Sequence, residues 1–435
     1  MIRFIYNLFW PLGLLIFLPG YFAKMIRRGG YREKFGQRVG IYDDEVRNRL
    51  SNQRPTWLHA VSVGEVNIAL KLANALRALE PELHCVLTTT TTTGFALARK
   101  TAPPWIEVMY TPLDYWPIMC RAFSVIRPAR IVLVEAEVWP NLAAAAHARR
   151  IPLALVNARL SPRSERRYRR FRFFVAPTFR LLDLVCVPER RDIERWVALG
   201  VPRNRMHVTG SIKFDTDVQA QSHTVAPSPK FDEGGSNAFS PDSLVLFGGS
   251  THRGEEEILV RVFLRLREQF PSLRLFIAPR HVERLQEIRA HLGALPLRVT
   301  LASEALTCGT ADADCLLLDT TGELQRWYGI ATVVFIGKSL TAHGGQNPVE
   351  PILAGKPVVF GPHMENFATL AKTLVSNNAA MQVNDTDSLE RAVGELLRDS
   401  ESRQRLVENA HAALNEHKGG TARTAKLVHE LGPRH

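Results

Sequence analysis

The chain has 435 residues, 46% of them hydrophobic and 23% charged, which excludes a disordered or fibrous protein and allows two cores of ordinary size. A formal net charge of +12 implies anionic partners, whether nucleic acid, anionic lipid or a phosphorylated substrate. Five scattered cysteines, at 85, 120, 186, 308 and 315, form no CxxC or other ligand spacing, which argues for a reducing compartment and against a disulfide framework or a zinc site.

Phe4 to Ala23 is nearly free of charge and about as long as a helix needs to cross a ~30 Å hydrocarbon core. Lys24, Arg27, Arg28, Arg32 and Lys34 follow at once, so the positive-inside rule puts the remaining chain in the cytoplasm. A cleaved signal peptide would carry its positive end first, the reverse of this order. Pro11 and Pro19 leave open a bent helix lying in one leaflet.

From Thr56, TWLHAVSVGEVNIALKLANALRAL reads as strand, tight turn and long amphipathic helix. Glu65 falls in the first helical turn, just past the carboxyl end of the strand, where open α/β sheets bind ligands. An acid there also suits the helix dipole, and spacing alone leaves both readings open. His59, inside the strand, reads as structural. CVLTTTTTTGFALARK repeats the pattern with a threonine-rich turn that suits a phosphate or sugar as well as a β-prone run. RIVLVEAEVWPNL then brings Glu135, Glu137, Trp139 and Asn141 to the end of a third strand, and paired carboxylates beside an aromatic suit a sugar.

Arg159 to Arg172 holds seven arginines against one glutamate and runs into Phe173 and Phe174. RNA binding is one reading of such a patch, but no recognition motif accompanies it. The apolar stretch upstream favours anionic lipid head groups. Gly210, Lys213 and Asp215 precede an aperiodic segment, Ala220 to Ser240, rich in Ser, Pro, Gly and Asn, which reads as a linker.

SLVLFGGSTHRGEEE restarts the strand, glycine turn, helix theme, with backbone N–H groups and the hydroxyls of Ser250 and Thr251 placed to cradle a phosphate. It has neither a Walker A nor a dinucleotide spacing. The next strand ends in Pro279-Arg280-His281, and an arginine can hold a phosphate bidentately. Asp312-Ala313-Asp314 spells a metal-binding DxD but precedes its strand instead of following one, so no metal is expected there. VVFIGKSLTAHGGQNPVEP passes from an apolar strand into a glycine-rich loop. Asn347 reads as an N-cap, Pro348 as first-turn proline and Glu350 as a first-turn acid. Another strand and turn, GKPVVFGP, then delivers His363, Glu365 and Asn366 to the same sheet edge.

The order GKSL, GGQNPVEP, GPHMENF resembles the C-terminal half of the 3-deoxy-D-manno-octulosonic acid (Kdo) transferases of lipid A biosynthesis. HAVSVGEV, Thr-Thr-Thr-Gly, the acidic-x-acidic-x-Trp-Pro-Asn run, NARLS, Gly-x-x-Lys-Phe-Asp, Pro-Arg-His and Asp-Thr-x-Gly-Glu-Leu extend the resemblance over nearly the whole chain. It implies an α/β fold of the GT-B type, with two Rossmann-like domains facing a cleft and an N-terminal membrane anchor helix. The implied divisions are an anchor at 1–30, an acceptor-binding domain at 31–219, a linker at 220–240 and a CMP-Kdo-binding domain at 241–435. A helix from about Gln404 through the Gly419-Gly420 break is expected to return to the first domain.

The implied reaction is inverting and metal-independent transfer of Kdo from CMP-Kdo to a lipid A precursor (lipid IVA), on the cytoplasmic face of a bacterial inner membrane. Glu65 is then the general base. Ser250, Thr251, Arg280, Gly344, Gly345, Asn347 and Glu350 are donor-binding, and the N–H groups of the Gly248–Thr251 and Gly344–Asn347 loops stabilise the leaving phosphate. Glu135, Glu137, Arg159, Lys213 and Asn366 line the acceptor site or cleft, with Asp319, Thr320 and Glu323 as further lining candidates. The resemblance implies no cofactor and no metal; its partners are the two substrates and an anionic membrane surface, not nucleic acid. Gln346 stands where the family commonly has His in GGHNPLEP, which removes that position from any proton transfer. The rival enzyme is a membrane-associated GT-B transferase using a UDP-sugar and another lipid acceptor. A tethered RNA-binding protein would leave Glu65 and both glycine-rich loops without a use.

Overall fold

The computed structural model describes residues 3–10, 34–215, 243–308, 313–320 and 324–432. Most of the expected anchor, the expected linker, Asp312 and Glu323 lie outside the described residues. The chain divides into two compact units, Met1–Val218 with His417–His435, and Gln219–Glu416.

In the first unit, β1 (Thr56–His59), β2 (Cys85–Thr89), β3 (Ile106–Tyr110), β4 (Arg130–Val134), β5 (Leu153–Val156), β6 (Leu184–Val187) and β7 (Met206–Val208) form one parallel sheet in the order β3-β2-β1-β4-β5-β6-β7. The central runs TWLH, RIVLV, LALV and LVCV are buried along their whole length. Helices cover both faces, so these strands have no solvent side on which to alternate. Trp57 and Phe123 pack in one layer, and Leu58, Leu72 and Phe95 in the other.

The second unit repeats the plan. β8 (Leu244–Thr251), β9 (Leu273–Pro279), β10 (Val299–Leu301), β11 (Cys315–Leu317), β12 (Val333–Ile336), β13 (Val358–Phe360) and β14 (Met381–Gln382) lie in the parallel order β10-β11-β9-β8-β12-β13-β14. Each sheet reverses direction of winding beside its first strand, between β1 and β4 and between β8 and β12. Such a reversal is the usual place of the ligand site in open α/β sheets.

The expected return of a final helix to the first unit is seen, and only its extent needs a correction. The helix Ser400–Asn415 belongs to the second unit, while the helix Gly420–Glu430 belongs to the first, so the second unit ends at Glu416 and not at 435. Gly419, at φ 68°, makes the break. Asp215 then caps the returning helix, accepting from Gly419 N at 2.9 Å and Thr421 N at 2.6 Å. Buried Arg130 grips Glu80 with Nη2 2.7 Å from both carboxylate oxygens, and His429 of the same helix meets Glu80 at 2.7 Å.

Residues 3–10 are helical and tied into the first unit. Asn7 and Asn141 exchange amide hydrogen bonds at 2.9 Å, and Tyr6 donates to Asp114 at 3.1 Å. A groove of about 1280 Å³ runs beside them, lined by Phe9, Trp10, Trp116 and Phe174 among others. Among the described residues no helix is long and apolar enough to cross a membrane.

Candidate active site

At the switch point of the first sheet, β1 runs into Ser62, whose side chain caps the helix Val63–Leu79 by accepting from Glu65 N. The Glu65 carboxylate folds back over the same turn. Val61 N donates to Oε2 at 2.8 Å and Ser62 Oγ to Oε1 at 2.9 Å, a variant of the reciprocal capping box. Glu65 is only 7% exposed. Burial pushes its carboxyl up to about 7 and the nearby Glu135 and Glu137 add to that rise, against the opposing Val61 and Ser62 hydrogen bonds. A carboxylate poised there takes up a proton readily at neutral pH.

The threonine turn has a different task from the one its composition offered. Thr89 and Thr91 both donate to Val61 O, at 3.3 and 3.1 Å, and Thr91 also caps the helix Thr92–Thr101 by accepting from Gly94 N at 3.1 Å. These hydroxyls are spent on the peptide that holds Glu65. A Cβ at Gly94 would sit 2.7 Å from Thr89 Oγ1 and 2.8 Å from Thr91 Oγ1, so the arrangement requires glycine. His59 is structural: it is fully buried, accepts from Trp139 Nε1 at 3.2 Å, and burial lowers its pKa to about 4.

Glu135 and Glu137 follow β4. Glu135 takes a left-handed backbone, φ 63°, an uncommon conformation for a side chain of this kind. Burial raises the pKa of Glu137, Glu135 adds to the rise and Arg167 opposes it. Lys213 is held below its ordinary pKa by burial and by Arg159, against Glu135. Arg159 and Lys213 share the Phe214 ring, with cationic atoms 5.4 and 5.7 Å from its centroid. The first unit thus gathers Glu65, Glu135, Glu137, Arg159 and Lys213 at one sheet edge.

In the second unit the edges of β8 and β12 meet so closely that a Cβ at Gly337 would fall 2.2 Å from Ser250 O. Ser250 and Lys338, at φ 54° and 58°, both take the left-handed backbone here. Fully buried Glu255 locks the two loops. Its carboxylate accepts from His252 N at 2.8 Å, Lys338 N at 2.7 Å, and Ser339 N and Leu340 N at 3.0 Å. Around this lock stand basic side chains. Arg280 is exposed directly after β9, His252 and His281 lie 5.6 Å apart between ring centroids, and Lys338 is near enough to His252 to add to the lowering that burial causes.

Three expectations for this edge change. Thr251 is fully buried and its hydroxyl donates to Glu256 at 3.1 Å, because a bulge between Gly249 and Thr251 turns it inward. Gly248 and Gly249 are strand residues paired with β9 and β12, not a phosphate cradle. In the other loop Gly344 N donates to Glu365 Oε2 at 2.6 Å, Gly345 N to Lys338 O at 2.9 Å and Gln346 N to Gly337 O at 3.1 Å, so these amides are committed within the protein. The two glycines serve close packing instead: a Cβ on Gly344 would meet Asn366 Nδ2 at 2.8 Å, and one on Gly345 would meet Met364 Sδ.

The helix Val349–Leu353 begins one residue later than expected, with Pro348 as N-cap. Asn347 still accepts from Val349 N at 3.1 Å and donates to Glu350 at 3.0 Å. Asn366 N donates to Gly344 O at 2.9 Å, placing Asn366 in the second unit's loop cluster and not with the acceptor candidates of the first. Asp319 accepts from Ser303 N at 3.1 Å and so holds the start of the helix Ala302–Cys308, and Thr320 Oγ1 is buried without a hydrogen-bond partner. Asp314 accepts from Arg298 N at 2.9 Å and pairs with Arg267 and Arg298, a structural set. Glu255 and Lys338 were missed because nothing in a run of three glutamates or in GKSL marks which residue turns inward.

Two doubly wound parallel units, each with polar side chains gathered at its switch point, are a fold of the GT-B type. Residues 255–413 match the model of glycosyl transferases group 1. A fold neighbour is the UDP-GlcNAc 2-epimerase of Neisseria meningitidis bound to UDP-GlcNAc, with a TM-score of 0.54 over 87% of this chain and 99% of that one, at 13% identity. Residues 33–216 match the model described as 3-Deoxy-D-manno-octulosonic-acid transferase (kdotransferase). The 3-deoxy-D-manno-octulosonic acid transferase of Haemophilus influenzae is 31% identical over 92% of this chain and 91% of its own length, and that of Bordetella pertussis 33% identical over 86% and 87%. The chain belongs to the 3-deoxy-D-manno-octulosonic acid transferase family.

Proposed function

We propose that this protein moves Kdo from CMP-Kdo to a lipid A precursor, lipid IVA, with inversion, and that Glu65 is the general base. The observation that carries the reading is the buried Glu65 carboxyl, fixed by Val61 and Ser62 and raised to about 7. Glu65 takes the proton of an acceptor hydroxyl while that oxygen attacks the anomeric carbon of Kdo. The bond from that carbon to the CMP phosphate breaks, and its electron pair leaves on the phosphate. Arg280 and Lys338 supply positive charge for that oxygen.

A second element of the proposal is the place of reaction, the cytoplasmic face of a bacterial inner membrane. Support comes from exposed Phe173 and Phe174, which follow the arginine-rich helix Pro162–Arg170, and from exposed Phe4 and Phe9, which line a groove with Phe174. Apolar side chains flanked by cations suit an anionic bilayer surface. The test is mass spectrometry of lipid IVA incubated with CMP-Kdo and the full chain in detergent. Gain of one or more Kdo units is expected; no gain with CMP-Kdo but addition from a UDP-sugar would overturn the donor assignment.

A further inference from the structure

The loops after β12 and β13 bring together three side chains that have no part in the proposed transfer step. His343 Nδ1 lies 3.0 Å from Glu365 Oε1, and His363 Nδ1 lies 3.4 Å from the same oxygen. The two imidazole rings are 3.9 Å apart between centroids. One donor atom from each of the three residues fits within 4.8 Å of the others. In a tetrahedral zinc site with bonds of about 2.0–2.1 Å, neighbouring donor atoms are roughly 3.3 Å apart. The two nitrogen–oxygen separations bracket that value.

The cluster is also held in place from beneath. His363 N donates to Ser339 O at 3.0 Å, Gly361 N to Ser339 Oγ at 2.8 Å and Asn366 N to Gly344 O at 2.9 Å, so the backbones of the two loops are tied together. Glu365 uses its other oxygen, Oε2, to accept from Gly344 N, which fixes the carboxylate while leaving Oε1 toward the imidazoles. His343 and Glu365 face solvent and His363 is half-buried, so the cluster is open to a cation from solution. Two imidazoles and one carboxylate are the donor set of borderline divalent cations, not of magnesium or calcium, which favour all-oxygen shells. The cysteine spacing of the sequence says nothing about a set built from His and Glu on two loops.

We propose that His343, His363 and Glu365 bind a divalent transition-metal ion of the zinc class, with three protein ligands and one exchangeable position. The ion pins the loop after β12 to the loop after β13. The inference is independent of the proposed transfer reaction.

The test titrates zinc chloride, near neutral pH, into the full chain in detergent after treatment with chelator, followed by calorimetry and by the rise in melting temperature that binding to the folded state produces. Cobalt, added in its place, reports the coordination number through its visible spectrum. One saturable equivalent is expected, with four-coordinate cobalt bands. His343→Ala and Glu365→Gln should each weaken it by at least ~10-fold while leaving the metal-free melting temperature in place, since lost or altered metal ligation costs on this scale. Glu365→Gln retains an oxygen for Gly344 N, which separates loss of a ligand from loss of the loop. The proposal fails if zinc does not bind saturably, or if the double variant His343→Ala/His363→Ala binds as the native chain does.

Discussion

Glu65 and Glu255 occupy the same topological place in the two units. Each sits in the first helical turn after the first strand of its sheet, at the switch point. Their chemistry differs because their lone pairs are filled differently. Glu255 accepts four backbone N–H bonds and is fully buried, a saturated anchor with nothing left for a substrate. Glu65 accepts two, from Val61 N and Ser62 Oγ, and burial holds its carboxyl near neutrality. The same residue in the same turn is a lock in one unit and the proposed base in the other.

Substitutions sharpen that contrast. Glu65→Gln keeps the shape of the turn but cannot take a proton, so kcat should fall by about 10²–10⁴-fold in a transfer assay, the usual worth of a positioned base. Folding should not suffer. Because the folded pKa of about 7 lies above the ordinary value of 4.5, the stability linked to protonated Glu65 is present below 4.5 and lost as pH rises through about 7. The neutral glutamine should therefore melt at or above the native temperature in alkaline buffer, as calorimetry at two pH values would reveal.

Glu255→Ala has the opposite profile. It strands four N–H groups, that of Ser339 buried and the others partly so, and the second unit should lose about 2–4 kcal/mol, measurable by urea unfolding. A native-like midpoint would remove Glu255 from its role as lock. Smaller effects come from the caps. Asp215→Ala frees Gly419 N and Thr421 N and should cost about 1–2 kcal/mol, with the helix Gly420–Glu430 exchanging its amide hydrogens sooner. Thr91→Ala removes one cap and one bond to Val61 O, about 1 kcal/mol, with a modest rise in KM or fall in kcat if the Val61 peptide relaxes.

Much of this architecture was legible in the residues. Unbroken apolar runs such as RIVLV and VVFI mark parallel strands buried on both faces, and Glu65 follows directly from a strand end and a helix start. What the chain could not reveal was how donors are allocated. Glycine-rich loops advertise free N–H groups, yet those of Gly344, Gly345 and Gln346 are satisfied by Glu365, Lys338 and Gly337. Thr251 and Ser250 are adjacent, and a one-residue bulge buries the first while leaving the second half-exposed. The break at Gly419 was visible as a glycine pair, but the assignment of the helices on either side to different units depends on Asp215, some 200 positions away in sequence.

The most direct measurement is the pH dependence of kcat for Kdo transfer by the native chain and by Glu65→Gln. A rate that rises with pH through an apparent pKa near 7 in the native chain, and a residual rate without that step in the variant, is the expected result. A variant that transfers at the native rate with the same profile would contradict the role of Glu65 as the base.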